Sequence, residues 1–236
     1  MVFTALKDRL WKEMKGWKEK LLSRAGKEIL IKSVIHAIPT YLMAVYRLPV
    51  SVIHDIQAMT AKFWWGNTDS KHKMHWINWG SLCTPKCLGG MGFRDIGIFN
   101  SALLGRQAWR LLKSPTSLLA RVMSTKYYKN AEFLDSYLGT TSIFSWSSIW
   151  SSKSLIMDGT LWRIDNGSKF RIWEDSWVAN DDGMYVTTPR IHGLSLVCDL
   201  LEGGEWSYNL LVQNFNDRYV TAILGIPLSG NPQEDN

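Results

Sequence analysis

Apolar residues recur along the first third of the chain at helical spacing. Leu6, Leu10, Met14, Trp17 and Leu21 fall at steps of four, four, three and four, which predicts a helix over about residues 4–22. Gly16 interrupts it at a cost of about 1 kcal/mol relative to alanine. Ser23 reads as the N-cap of a second helix whose apolar face is Leu30, Ile31, Val34, Ile35 and Ile38, stopped by Pro39. A third helix is predicted from Ser51, with Ile53, Ile56, Thr60, Phe63 and Trp64 on one side and Gly66-Asn67 at its end. Three such stripes can close a small bundle.

The pattern then changes twice. Residues from Asn67 to Asp95 are irregular and rich in Gly, Lys and Trp. A helix follows over about residues 97–113, with Ile98, Ala102, Trp109 and Leu112 expected to face inward, and another over about residues 117–128. Beyond residue 130 the composition shifts. Ser145–Met157 predicts a helix, and Leu161–Ile164 with Lys169–Trp173 predicts a hairpin turning at Asn166-Gly167. In that register Trp162, Ile164, Phe170 and Ile172 share a face. Two short helical stretches fall within residues 197–224, and Gly230–Asn236 reads as a frayed tail. The expected fold class is mainly α. A helical bundle-like N-terminal unit (residues 1–130) would precede a small β-hairpin-containing C-terminal unit (residues 131–236).

Composition sharpens this picture. The chain has 236 residues, 46% of them hydrophobic, so full disorder is excluded. No apolar run approaches the roughly 18 residues needed to span a bilayer, so no membrane partner is expected. Cys83, Cys87 and Cys198 are too few for a disulfide scaffold, and their odd number fits a reducing, intracellular compartment. Nucleus and organelle stay open. The first thirty residues are basic and amphipathic, but Asp8, Glu13, Glu19 and Glu28 argue against a transit peptide.

The net charge of +6 hides a division. Residues 1–130 carry 21 Lys/Arg against 7 Asp/Glu, whereas residues 131–236 carry 6 against 14. A half that basic points to a polyanionic partner. Lys12, Lys15 and Lys18, then Lys20, Arg24, Lys27 and Lys32, and finally Arg106, Arg110 and Lys113 are the candidate phosphate contacts. Lys27 fits least well, because its helical phase falls on the apolar side. Most of the 13 tryptophans sit at positions expected to pack inward. Trp65, Trp76 and Trp79, in or beside the basic Gly-rich stretch, are the candidates for stacking on bases.

Other chemistry is thinner. His72, His75, Cys83 and Cys87 form H-x2-H-x7-C-x3-C, a donor set zinc accepts at a spacing no usual zinc module uses, and loop residues are the better reading. The glycine run at Gly89, Gly90 and Gly92 lacks the buried strand that precedes a phosphate loop, so a turn placing Phe93 inward is expected. Glu174-Asp175 and Asp181-Asp182 read as solvated acids rather than ligands of two metal ions. No metal, cofactor or small-molecule substrate is expected.

An ordered series of motifs carries a family likeness. Gly16-Trp17-Lys18, Leu22-Ser23-Arg24-Ala25-Gly26-Lys27, Leu30-Ile31-Lys32-Ser33-Val34 and Ala37-Ile38-Pro39-Thr40-Tyr41 open it. Leu48-Pro49, Phe63-Trp64-Trp65-Gly66, His75-Trp76, Pro85-Lys86 and Gly89-Gly90-Met91-Gly92-Phe93-Arg94 continue it. Phe99-Asn100, Ala102-Leu103-Leu104, Trp109-Arg110-Leu111-Leu112, Trp162-Arg163-Ile164 and Ile172-Trp173-Glu174-Asp175-Ser176-Trp177 complete it. The series resembles the plant LINE-type (non-LTR) retroelement reverse transcriptases over nearly the whole chain. Asp165-Asn166-Gly167 departs from the Gly-Asp-Gly usual there.

The resemblance implies a thumb and connection region, lying between the polymerase palm and the zinc-binding and ribonuclease H segments. The Tyr-x-Asp-Asp motif and the ribonuclease H carboxylates have no counterpart in this sequence, so no catalytic residue is assigned and no enzymatic turnover is expected. What it implies is weak, salt-sensitive binding of an RNA–DNA hybrid or duplex. Two other readings stay open: an accessory part of an RNA-directed DNA polymerase that needs a separate palm-bearing polypeptide, and a relic open reading frame product with no selected role.

Overall fold

Side-chain caps at Ser23, Asn78, Asp95 and Ser117 start several of the N-terminal helices. The computed structural model describes residues 2–18, 22–66, 74–129, 131–140, 142–179 and 183–228. The chain divides into two compact units, residues 1–153 and 154–236, so the division lies C-terminal to the composition shift near residue 130.

In the first unit, helix α1 covers Val2–Lys18 and buries Leu6, Leu10 and Met14, while Leu21 lies outside the described residues. Helix α2 (Arg24–Leu30) begins at Ser23, whose hydroxyl accepts the Gly26 N–H at 3.2 Å. A π-helical turn at Ile31–Ile35 extends it and buries Ile31 and Ile35 fully. The short α3 (Thr40–Met43) leads to α4 (Val50–Trp65), which buries Ile56, Thr60, Phe63 and Trp64 and stops at Gly66. Asn67, expected to share in that stop, lies outside the described residues. α1, α2 and the next long helix, α6 (Ile96–Lys113), all pack against α4. Between α4 and α6 lies α5 (Trp79–Cys83).

α6 is rotated relative to the sequence expectation. Its buried line is Ile96, Asn100, Leu104, Ala108 and Leu111, whereas Ile98 is 74% and Trp109 41% exposed, Ala102 is exposed and Leu112 only half-buried. The cause is Asn100. Its Oδ1 accepts the Leu48 N–H at 2.8 Å, and its Nδ2 donates to the carbonyls of Met43 at 2.8 Å and Tyr46 at 3.0 Å. A polar side chain thus occupies the centre of an otherwise apolar face, where a reading by hydrophobicity excludes it.

α7 (Leu118–Tyr127) starts at the Ser117 cap. The helix expected over Ser145–Met157 is instead two, α8 (Phe144–Trp150) and α9 (Lys153–Gly159). The Ser151 and Ser152 hydroxyls donate back to the carbonyls of Ser148 and Ile149, and the chain turns there. Trp146 of α8 is fully buried beneath Tyr127, stacked at 4.6 Å, with Tyr128 and Phe133 around it.

The second unit gathers around Ile164, Ile172, Trp177, Val197, Leu200 and Leu211. The hairpin at Asn166-Gly167 does not form. The second segment and the turn pair with the chain near residue 197 instead: Val197 N–H donates to Phe170, Ile172 N–H to Ser195 and Cys198 N–H to Gly167, while in the first segment Trp162 N–H donates to Ser176. Ile164, Phe170 and Ile172 still face one core, with Trp162 stacked on Phe170 at 5.2 Å. The hairpin that does form joins β1 (Leu201–Glu202) to β2 (Glu205–Trp206) through Gly203-Gly204, both at positive φ as its tight turn demands. Two helices follow as expected, α10 (Tyr208–Asn214) and α11 (Asp217–Leu224). The tail from Gly230 lies outside the described residues.

Asn100→Ala strands one buried N–H and two carbonyls, which should destabilise the first unit by about 3 kcal/mol. Thermal unfolding followed by circular dichroism should show the midpoint lowered by roughly 6–12 °C; an unchanged midpoint would refute the role given to this amide.

Candidate nucleic-acid interface

The cations of the first unit fall into two groups, those engaged by the fold and those presented to solvent. On α1, Lys12 and Lys15 stand opposite Leu6, Leu10 and Met14, but the exposed Asp8 and Glu13 stand among them. The Lys15 ammonium lies 4.9 Å from the Trp11 ring centroid. Lys7 pairs with Asp55 of α4 at 2.9 Å. The side chain of Lys18 and the whole of Lys20 lie outside what is described.

On α2 the cations are structural. The Arg24 guanidinium donates to the Trp64 carbonyl at 3.3 Å, at the end of α4, and lies 5.2 Å and 5.3 Å from the rings of Trp64 and Trp65. Lys27 sits 5.7 Å from the Phe63 ring. Lys32 and Lys86 both hold Glu28, at 2.8 Å and 2.7 Å, and together keep its carboxyl below its ordinary pKa.

The aromatic candidates separate in the same way. Trp65 is buried and stacks on His75. Trp79 stacks on Phe93 at 5.2 Å with its indole N–H buried. Trp76, 77% exposed, is the one of the three with an open ring face.

Gly89, Gly90, Met91 and Gly92 close a turn rather than a phosphate cradle. Their four N–H groups donate to the carbonyls of Lys86, Pro85, Leu82 and Thr84 in turn, leaving none for an anion. A Cβ on Gly90 would stand 2.0 Å from the Thr84 carbonyl oxygen, so only glycine fits. The turn delivers Phe93 to the core, edge-on to Trp64 and to His36. His36 is buried, and neither ring nitrogen has a partner among the described residues. Burial first, then the nearby charges of Arg94 and Lys32, lowers its pKa to about 4.

α6 and α7 present their cations to solvent. Between Asp95 and Glu132 the sequence holds Arg106, Arg110, Lys113, Arg121, Lys126 and Lys129 and no acidic residue. All six are exposed. Arg106, Arg110 and Arg121 have no ion-pair partner among the described residues, while Lys113 lies 5.7 Å from the Trp109 ring. Sequence periodicity identifies the first three cations. It passes over Arg121, Lys126 and Lys129, which the missing acids alone could have revealed.

Metal and acid candidates resolve differently. Burial raises the Cys83 thiol to about 11, well away from a thiolate. Cys87 is exposed, His75 stacks on Trp65, and His72 lies outside the described residues. No group of three His, Cys, Asp or Glu that could hold a metal ion occurs among the described residues. Glu174 pairs with Arg190 at 2.7 Å, and Asp175 accepts the Arg171 N–H at 2.7 Å. Asp181-Asp182 lies outside the described residues. No described helix is long and apolar enough to cross a membrane.

No family model matches the chain. Similar proteins include one of Arabidopsis thaliana provisionally named a ribonuclease H protein, 35% identical over 183 residues, which are 75% of this chain and 29% of that protein. An uncharacterized mitochondrial protein of the same plant is 33% identical over 146 residues, 61% of this chain and 95% of the relative. The chain thus spans under a third of the first relative and nearly all of the second.

His36 sets an acid limit on the first unit. Its pKa is lower folded (about 4) than unfolded (6.5), so its contribution is complete above pH 6.5 and is lost as pH falls toward 4. The loss should total on the order of 3 kcal/mol. Urea titrations between pH 7 and pH 5, above the range of the carboxylates, should show unfolding free energy falling with pH. His36→Leu should flatten that slope; an equal slope in the variant would exclude the histidine as its source.

Proposed function

Since the chain belongs to the same family as this uncharacterized mitochondrial protein of Arabidopsis thaliana, we propose that it is a retroelement-derived, thumb-like fragment that binds nucleic acid through phosphates without reading sequence. The observation that carries the reading is the acid-free run of exposed cations on α6 and α7. An unpaired arginine on a helix surface loses little on meeting a phosphate, whereas one already held by a carboxylate must first give that partner up.

This distinction re-weights the sequence candidates. Arg106, Arg110 and Lys113, with Lys12 and Lys15, are the phosphate contacts of the proposal. Arg24, Lys27 and Lys32 act within the fold. The resemblance to reverse transcriptases of non-LTR retroelements gives the substrate class, an RNA–DNA hybrid or duplex, and the contacts would fix position without specifying sequence.

Neutralising about five phosphates gives a slope of log K against log salt of about −4 to −5. Fluorescence anisotropy with an RNA–DNA hybrid across a salt series should show it. The Arg106→Glu/Arg110→Glu variant should weaken binding at low salt far more than Lys32→Glu. Undetectable or salt-independent binding by the unaltered chain would refute the proposal.

A further inference from the structure

We propose that the outward face of α6 holds an unpaired strand, with Trp109 as the stacking platform for a base and Arg106, Arg110 and Lys113 on the phosphates beside it. This rests on the nucleic-acid reading above and adds, beside the hybrid or duplex, a second form of nucleic acid that this face takes.

Arg106, Trp109, Arg110 and Lys113 are spaced i, i+3, i+4 and i+7, which puts all four on one side of the helix. From Arg106 to Lys113 the axis advances about 10 Å, the reach of roughly three consecutive phosphates of one strand. The ring is 41% exposed, and the Lys113 ammonium stands 5.7 Å from its centroid. Cation and aromatic surface are therefore presented together, the pairing that non-specific single-strand sites use.

The fold has no evident need for a tryptophan here. α6 buries Gly105 and Ala108, small residues that let it approach its neighbours, and turns Trp109 the other way. Other tryptophans of the chain are tied into the fold by their indole N–H: Trp146 to Leu138, Trp150 to Ser136, Trp177 to Ile172 and Trp206 to Ile226. Two more rings are open, and their surroundings differ. Trp11 shares its exposed helix face with Asp8, whose charge would repel a phosphate, and Trp76 lies outside any helix, in a stretch whose Lys71 and Lys73 are outside the described residues. Only α6 combines an open ring with three cations and no acid among the described helices.

A duplex keeps its bases stacked on one another and offers no face to a side chain, so the ring discriminates where the cations do not. The test uses the full chain at low salt with two labelled probes of equal length, a single-stranded oligothymidylate and an RNA–DNA hybrid. Trp109→Ala should weaken single-strand binding about tenfold, Trp109→Phe should restore most of it, and hybrid binding should change by less than about twofold. The outward position of the ring predicts an unchanged unfolding transition for both variants, which separates loss of stacking from loss of fold. Unaltered single-strand binding by Trp109→Ala, or equal loss on both probes, overturns the inference and marks this face as one for a protein partner or for phosphates alone. A chain that binds the hybrid but not the single strand overturns it too, leaving the nucleic-acid reading intact. Binding to neither probe overturns both.

Discussion

The buried amide of Asn100 is the constraint on which the first unit turns. It satisfies three backbone groups where the chain passes from α3 to α4, at Met43, Tyr46 and Leu48. Each of those groups, left alone in an apolar interior, would cost more than a typical hydrogen bond returns. Because the amide must face them, α6 has one allowed rotation. Leu104, Ala108 and Leu111 follow it inward, and Arg106, Trp109, Arg110 and Lys113 are carried outward. The interior thus sets the chemistry of the exposed face.

A second consequence concerns charge. A count of lysines and arginines treats every cation alike, yet this fold uses them unequally. Glu28 holds Lys32 and Lys86, and Asp55 holds Lys7. Arg24 closes the end of α4 while lying over two indoles. The described cations of α1 and α2 are therefore largely interleaved with acids or engaged by the fold. Those of α6 and α7 are exposed, with no acid between them in the sequence.

What the sequence made legible follows the physics of each signal. Caps and apolar stripes are local, and Ser23 and the buried faces of α1 and α4 were readable from them. The inward turn of Phe93 was readable because a glycine run reaches the positive-φ conformations that a tight turn needs, as Gly89 and Gly92 do. Asn100 was not, since an isolated asparagine carries no sign of three carbonyl and amide partners some fifty residues away. The rotation of α6 was lost with it. The false hairpin has a similar cause: Asn166-Gly167 is a good turn, but its flanks found separate partners, Trp162 at Ser176 and Phe170 with Ile172 at Val197 and Ser195, and sequence shows no preference between near and distant pairing.

Aromatic residues obey the same division as the cations. Trp146 and Trp177 are enclosed, and each donates its N–H to a carbonyl, so they hold elements together at no cost in unpaired polar atoms. His36 is the exception inside, with neither nitrogen partnered among the described residues, and its resistance to protonation is the electrostatic price of that burial. Trp109 is the exception outside, a large apolar ring left in water beside a lysine. A buried polar group and an exposed apolar one are the two departures that folding alone leaves unexplained. In the first unit they mark different things: the histidine records how tightly the glycine turn seals the core, and the tryptophan marks where the molecule has surface to offer a partner.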